Sequence, residues 1–108
     1  MDPFLAVELG DVKALKEALD SGADANQERH GMTLLQYALD VELDSHTQTG
    51  EPLHVDATAL LLARGADPRR RSGGGTGVSA EHMAFVSGHW LALELFSAWA
   101  AARDAAAG

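Results

Sequence analysis

Five histidines, His30, His46, His54, His82 and His89, are the side chains of this 108-residue chain best suited to hold a metal or move a proton. A zinc site needs ligands at short fixed spacing, as in HExxH, where two imidazoles share one helix face. No such pair occurs, and His82 and His89 stand on either side of a break at Gly88. The chain has no cysteine, so thiolate ligands, a cysteine nucleophile and disulfides are all excluded. A serine nucleophile needs a sharp elbow such as GxSxG; Ser45-His46 and Ser79 with His82 lack one and read as caps or solvated residues. Glu8, Asp40 and Asp44 are carboxylates with nothing in the sequence to bury or pair them, as acid–base work requires. The run Gly73 to Ser79 before a helix has the glycines of a phosphate loop but neither its lysine nor a preceding strand. Arg69-Arg70-Arg71 beside a helix start offers weak anion attraction, and it is too short and lacks the aromatics of a nucleic-acid site. These residues predict no catalytic site, no metal and no cofactor, hence no enzyme.

Charge says more. Sixteen acids against eight bases give −8, and the imbalance is uneven: residues 1–60 hold twelve acids and three bases, residues 61–108 four acids and five bases. Such a field repels nucleic acid and anionic lipid and steers a basic protein inward. No apolar run approaches the ~18 residues of a membrane span, and the acidic start lacks the basic region of a secretory signal. The expected compartment is therefore the cytoplasm. The length and 46% hydrophobic content suit one domain over residues 1–108.

The elements that must position these residues recur along the chain. Ser21-Gly22-Ala23-Asp24 returns as Arg64-Gly65-Ala66-Asp67, each after an apolar helical run. Gly31-Met32-Thr33 and Gly77-Val78-Ser79 each set a glycine before a helix-capping hydroxyl. Gly10-Asp11 and Gly88-His89 each lead into a further apolar helix. The pattern predicts helices near 3–9, 12–20, 33–43, 53–63, 79–86 and 89–102, with no convincing strand alternation. Each is too short to be stable alone, so stacked pairs must share a core.

Gly22-Ala23-Asp24-Ala25-Asn26, Gly65-Ala66-Asp67-Pro68 and the degenerate G-x-T-x-L-x-x-A of Gly31 to Ala38 and Gly77 to Ala84 resemble the ankyrin repeat. The resemblance covers residues 4–98. It implies an all-α solenoid of helix-turn-helix pairs with short hairpin loops, repeats near 3–26, 27–68 and 69–102, and a frayed tail over 103–108. The two Gly-Ala-Asp turns lie 43 residues apart, about ten more than the repeat period. The excess is assigned to one long inserted loop in the second repeat, the polar stretch Asp44 to Pro52. The same resemblance gives His82 and His89 structural roles in bracing turns.

Binding in this family uses the concave face and the hairpin tips. Mapped onto this chain, the expected partner-binding residues are Glu8, Glu28, Arg29, His30, Met32, Asp40, Val41, Glu42, Asp44 and Val78, with Leu9, Gly75, Thr76, Val86 and Ser87 at further variable positions. The acids among them would form one acidic stretch running into the loop. The resemblance implies a non-catalytic module, a small acidic inhibitor of a basic protein such as a bacterial toxin, in the manner of ankyrin-like immunity proteins; the Arg- and Ala-rich composition fits a bacterial source. The alternative is a scaffold that self-associates through the apolar C-terminal helix containing Trp90, Leu91, Leu93, Leu95, Phe96 and Trp99. The expected state is a monomer or a weak homodimer.

Overall fold

Capping chemistry sets the beginning of every helix. The computed structural model describes residues 2–73 and 77–107, and holds six helices: α1 (Pro3–Glu8), α2 (Val12–Asp20), α3 (Leu34–Thr49), α4 (Asp56–Ala63), α5 (Ala80–Ser87) and α6 (Trp90–Ala107). The first turn of a helix leaves amide donors without intrahelical partners. Here a side chain takes the third amide of each helix. Asp2, Asp11, Thr33 and Ser79 accept from Leu5, Ala14, Gln36 and His82 at 3.2, 3.0, 3.1 and 3.1 Å. Thr33 and Gln36 close a capping box, since the Gln36 side chain accepts from the Thr33 amide at 2.8 Å. His89 Nδ1 accepts from Ala92 at 3.3 Å. Only α4 begins on a residue with no capping atom, Val55.

The helices form two rows. α1 packs on α3 and α3 on α5; α2 packs on α4 and α4 on α6; α1–α2, α3–α4 and α5–α6 are paired. Ala6, Ala38 and Ala84, all fully buried, let the helices of the first row approach closely. Phe4, Val7, Leu15, Leu34, Leu35, Leu39, Leu61 and Phe96 fill the space between the rows. The two Gly-Ala-Asp turns are joined directly. Asn26 Nδ2 donates to Gly65 O at 3.0 Å, and its Oδ1 accepts from the Asp67 amide at 2.8 Å.

Three expectations need correction. The stretch from Asp44 is not a loop: α3 continues to Thr49 and stops at Gly50, whose φ of 73° suits a residue without a Cβ. Thr47 and Thr49 donate back to Leu43 O and Ser45 O at 3.0 and 2.7 Å, so polar composition here marks a solvated helix. The connection to α4 is only residues 50–55.

The expected short hairpin loop forms before α3, and it carries paired strands where none was expected. Strands β1 (Glu28–Arg29) and β2 (Met32–Thr33) pair antiparallel, Glu28 with Thr33 and Arg29 with Met32. Its turn residues His30 and Gly31 have φ of 54° and 77°, the positive pair that a two-residue hairpin turn requires. Two residues per strand are too few to show alternation. Finally, α6 runs to Ala107, five residues past the expected end at 102, through residues dominated by alanine, the strongest helix former.

Candidate functional site

A groove of about 350 Å³ opens beside the hairpin and gathers four of the expected binding residues: Glu8, Arg29, His30 and Met32. Its other walls are Asp2, Phe4, Leu5 and Tyr37. Arg29 grips Asp2 with two bonds, 2.7 and 2.8 Å, and its guanidinium lies over the Phe4 ring at 4.6 Å. Tyr37 meets Phe4 edge-on at 5.6 Å. Arg29 thus closes one wall and has spent its charge on Asp2, whose carboxyl the Arg29 hydrogen bond holds below its ordinary value.

The acids extend from this groove along α3. At 100° per residue, Tyr37, Asp40, Val41 and Asp44 share one stripe of the helix. Asp40 and Asp44 are exposed and Val41 is half-buried. On α1 the same spacing joins Leu5, Glu8 and Leu9, all exposed. Among the described residues no lysine or arginine pairs with Glu8, Asp40 or Asp44. Asp44 accepts only from Gln48, at 3.1 Å. The outcome is a partly apolar groove with Glu8 in its wall, and Asp40 and Asp44 further along the α3 stripe that starts at Tyr37.

Glu42 does not belong to this stretch. It is 2% exposed, on the far side of α3 from Asp40 and Asp44. Its Oε2 accepts from the Thr58 amide at 3.2 Å, and its Oε1 from Thr58 Oγ1 at 2.7 Å. Glu42 therefore supplies the cap that Val55 cannot give α4. His89, fully buried, reaches the same Oε1 at 3.3 Å through Nε2. Because Nδ1 already accepts from Ala92, the ring hydrogen is assigned to Nε2, donating to Glu42. A carboxylate costs several kcal/mol to bury, and three donors plus two helix N-termini offset that cost. Glu42 was expected at the partner interface; it is instead the joint that ties α3, α4 and α6.

An acid, an imidazole and a hydroxyl meet at this joint, yet they form no catalytic relay. Thr58 and His89 both bond the Glu42 carboxyl and not each other, so there is no hydroxyl–imidazole–acid chain. All three residues are closed to solvent.

Two expected residues lie apart from the main groove. Glu28 is exposed, and its Oε1 accepts from the Gly73 amide at 2.6 Å, linking the hairpin to the segment between α4 and α5. Val78 is 46% exposed in a separate groove with Arg69, Arg71, Ser79, Glu81 and His82. Its carbonyl accepts from Gln36 Nε2 at 2.7 Å. Gly75 and Thr76 lie outside the described residues.

Sequence reading missed the groove walls Asp2, Phe4, Leu5 and Tyr37. Tyr37 had a usable signal, being three and four residues before Asp40 and Val41. The Asp2–Arg29 tie spans 27 residues and had none.

Among the described residues no group of three or more His, Asp or Glu is placed to hold a metal, and no helix is long and apolar enough to cross a membrane. No protein-family model matches the chain, and no curated protein matches it.

Proposed function

We propose that the helix pairs form a short ankyrin-type array and that the chain is a non-catalytic binding module for a basic protein. Its partner would be one that the module neutralises, such as a bacterial toxin, held against the concave side. The two rows of helices support the array, as does the Asn26 bridge between equivalent turns. The observation that carries the binding reading is the set of acids without cations among the described residues: Glu8 in the wall of a groove with Phe4, Leu5 and Tyr37, and Asp40 and Asp44 on the stripe of α3 that continues from Tyr37. Lysines and arginines of a partner would complete those acids, and an apolar anchor would fill the groove, the usual division between steering and affinity. The exposed acids sit on rigid helices, and the core does not use them.

The test is charge reversal at these three positions together, Glu8→Lys, Asp40→Lys and Asp44→Lys. Basic proteins captured from the source cell are then compared on wild type and variant. The association rate should fall at least tenfold and lose most of its salt dependence, with the helical circular dichroism unchanged. A partner that is acidic, or one bound equally well by the variant, would sink the proposal.

A further inference from the structure

The C-terminal end of the molecule carries a second, chemically different surface. Phe85, Val86 and Trp90 surround the Gly88 turn between α5 and α6 and are 73%, 68% and 62% exposed. The sequence repeat makes this exposure anomalous, an argument that rests on the array reading above. Each first-row helix places a large apolar residue directly after its buried alanine: Val7 after Ala6, Leu39 after Ala38, Phe85 after Ala84. The first two are 3% and 1% exposed, covered within the molecule. Nothing among the described residues covers Phe85. The expected apolar surface of α6 is mostly elsewhere: Phe96 is buried, and Leu91, Leu93, Leu95 and Trp99 are half-buried. Only Trp90 of that helix's large apolar residues remains open.

The surroundings select the occupant. From His82 to Leu93 the sequence has no Asp, Glu, Lys or Arg, in a chain whose net charge is −8. In space, Glu81 and Arg69 share a groove with Phe85, and Glu94 lies one turn beyond Trp90, so the patch carries charges of both signs and little net field to steer a basic partner. A second copy, by contrast, can dock here while keeping both acidic N-terminal halves apart, since residues 61–108 are near neutral. We infer that two copies of this chain pair isologously through Phe85, Val86 and Trp90. Two aromatics and a valine exposed to this degree offer roughly 400 Å² of apolar side chain per copy. Doubled, that approaches the lower limit of about 1,000 Å² for a specific interface, which fits a weak dimer.

Sedimentation of the purified chain from about 5 to 500 μM tests this, a range bracketing the micromolar affinity of a small interface. The mass should climb from one chain towards two, and added salt should strengthen the association by screening the like charge of the copies. Phe85→Glu and Trp90→Glu should each weaken it at least tenfold, while Gln48→Ala, exposed on the last turn of α3, leaves it intact. Both aromatics are exposed, so helical circular dichroism should be unchanged in either variant. A wild-type chain that stays monomeric at the top of the range overturns the inference, as does a dimer indifferent to both substitutions. Neither result bears on the array itself, whose failure would appear separately as NMR contacts that do not place α5 beside α3.

Discussion

Glu42 shows how two residues of helical phase separate opposite roles. Asp40 and Asp44 are four apart and share a face; Glu42 lies 200° from Asp40. An acidic run read along the sequence groups all three, whereas helical phase divides them. A second signal was present in the sequence too. Val55 precedes α4 and cannot cap it, so an acceptor had to come from elsewhere. Its source, sixteen residues back, was not legible, because sequence spacing does not say which helices touch. Replacing Glu42 with alanine strands Thr58 Oγ1, the Thr58 amide and His89 Nε2 together. The expected loss is about 2–4 kcal/mol in urea unfolding, with Glu42→Gln milder because one acceptor oxygen remains. Asp40→Ala, at an exposed site, should change stability by no more than about 0.5 kcal/mol.

At the scale of elements, five of six helix starts fall within one residue of the expected positions, because caps and glycines are local signals. The sixth, α4, begins three residues later than expected, and its cap is the one supplied from a distance. Helix ends were less legible. α3 outran its expected end by six residues, since Ser45, Thr47 and Thr49 were read as loop formers. In place the Thr47 and Thr49 hydroxyls donate to backbone carbonyls within the helix. The link between helix pairs depends on Asn26, which the repeat pattern marks but whose bonds it does not specify. Asn26→Ala removes both the donor to Gly65 and the acceptor for the Asp67 amide. It should lower stability by about 1–3 kcal/mol and raise hydrogen exchange at the Asp67 amide while sparing α6.

For the whole molecule, the first helix pair is held to the rest partly by two exposed ion pairs. Asp2 joins α1 to Arg29 of the hairpin, and Asp20 joins α2 to Arg64 after α4. Hydrogen bonds from Arg29 to Asp2, and from Lys16 and then Arg64 to Asp20, hold both carboxyls below their ordinary value. A carboxyl that is more acidic in the folded state stabilises it above the unfolded value and loses that contribution as pH falls through the folded one. The first pair should therefore loosen in acid, below about pH 4, before the second and third pairs open. Exchange measured residue by residue across a pH series will show this order, and Asp2→Asn should flatten the response of α1. Neither tie was legible, since they join residues 27 and 44 apart through the fold alone. Of the α3 stripe, the acids could be listed from the sequence and their shared face worked out from helical phase, but the groove between α1, the hairpin and α3 required the packed pairs.

The hidden fastening of α3 by Glu42 leaves its outer tips free to vary. Side chains at 40 and 44 can change sign, length or shape while the rivet on the reverse of the same helix keeps its register. A few outward substitutions on α3 can therefore change what its exposed face presents without first rebuilding the frame that displays it.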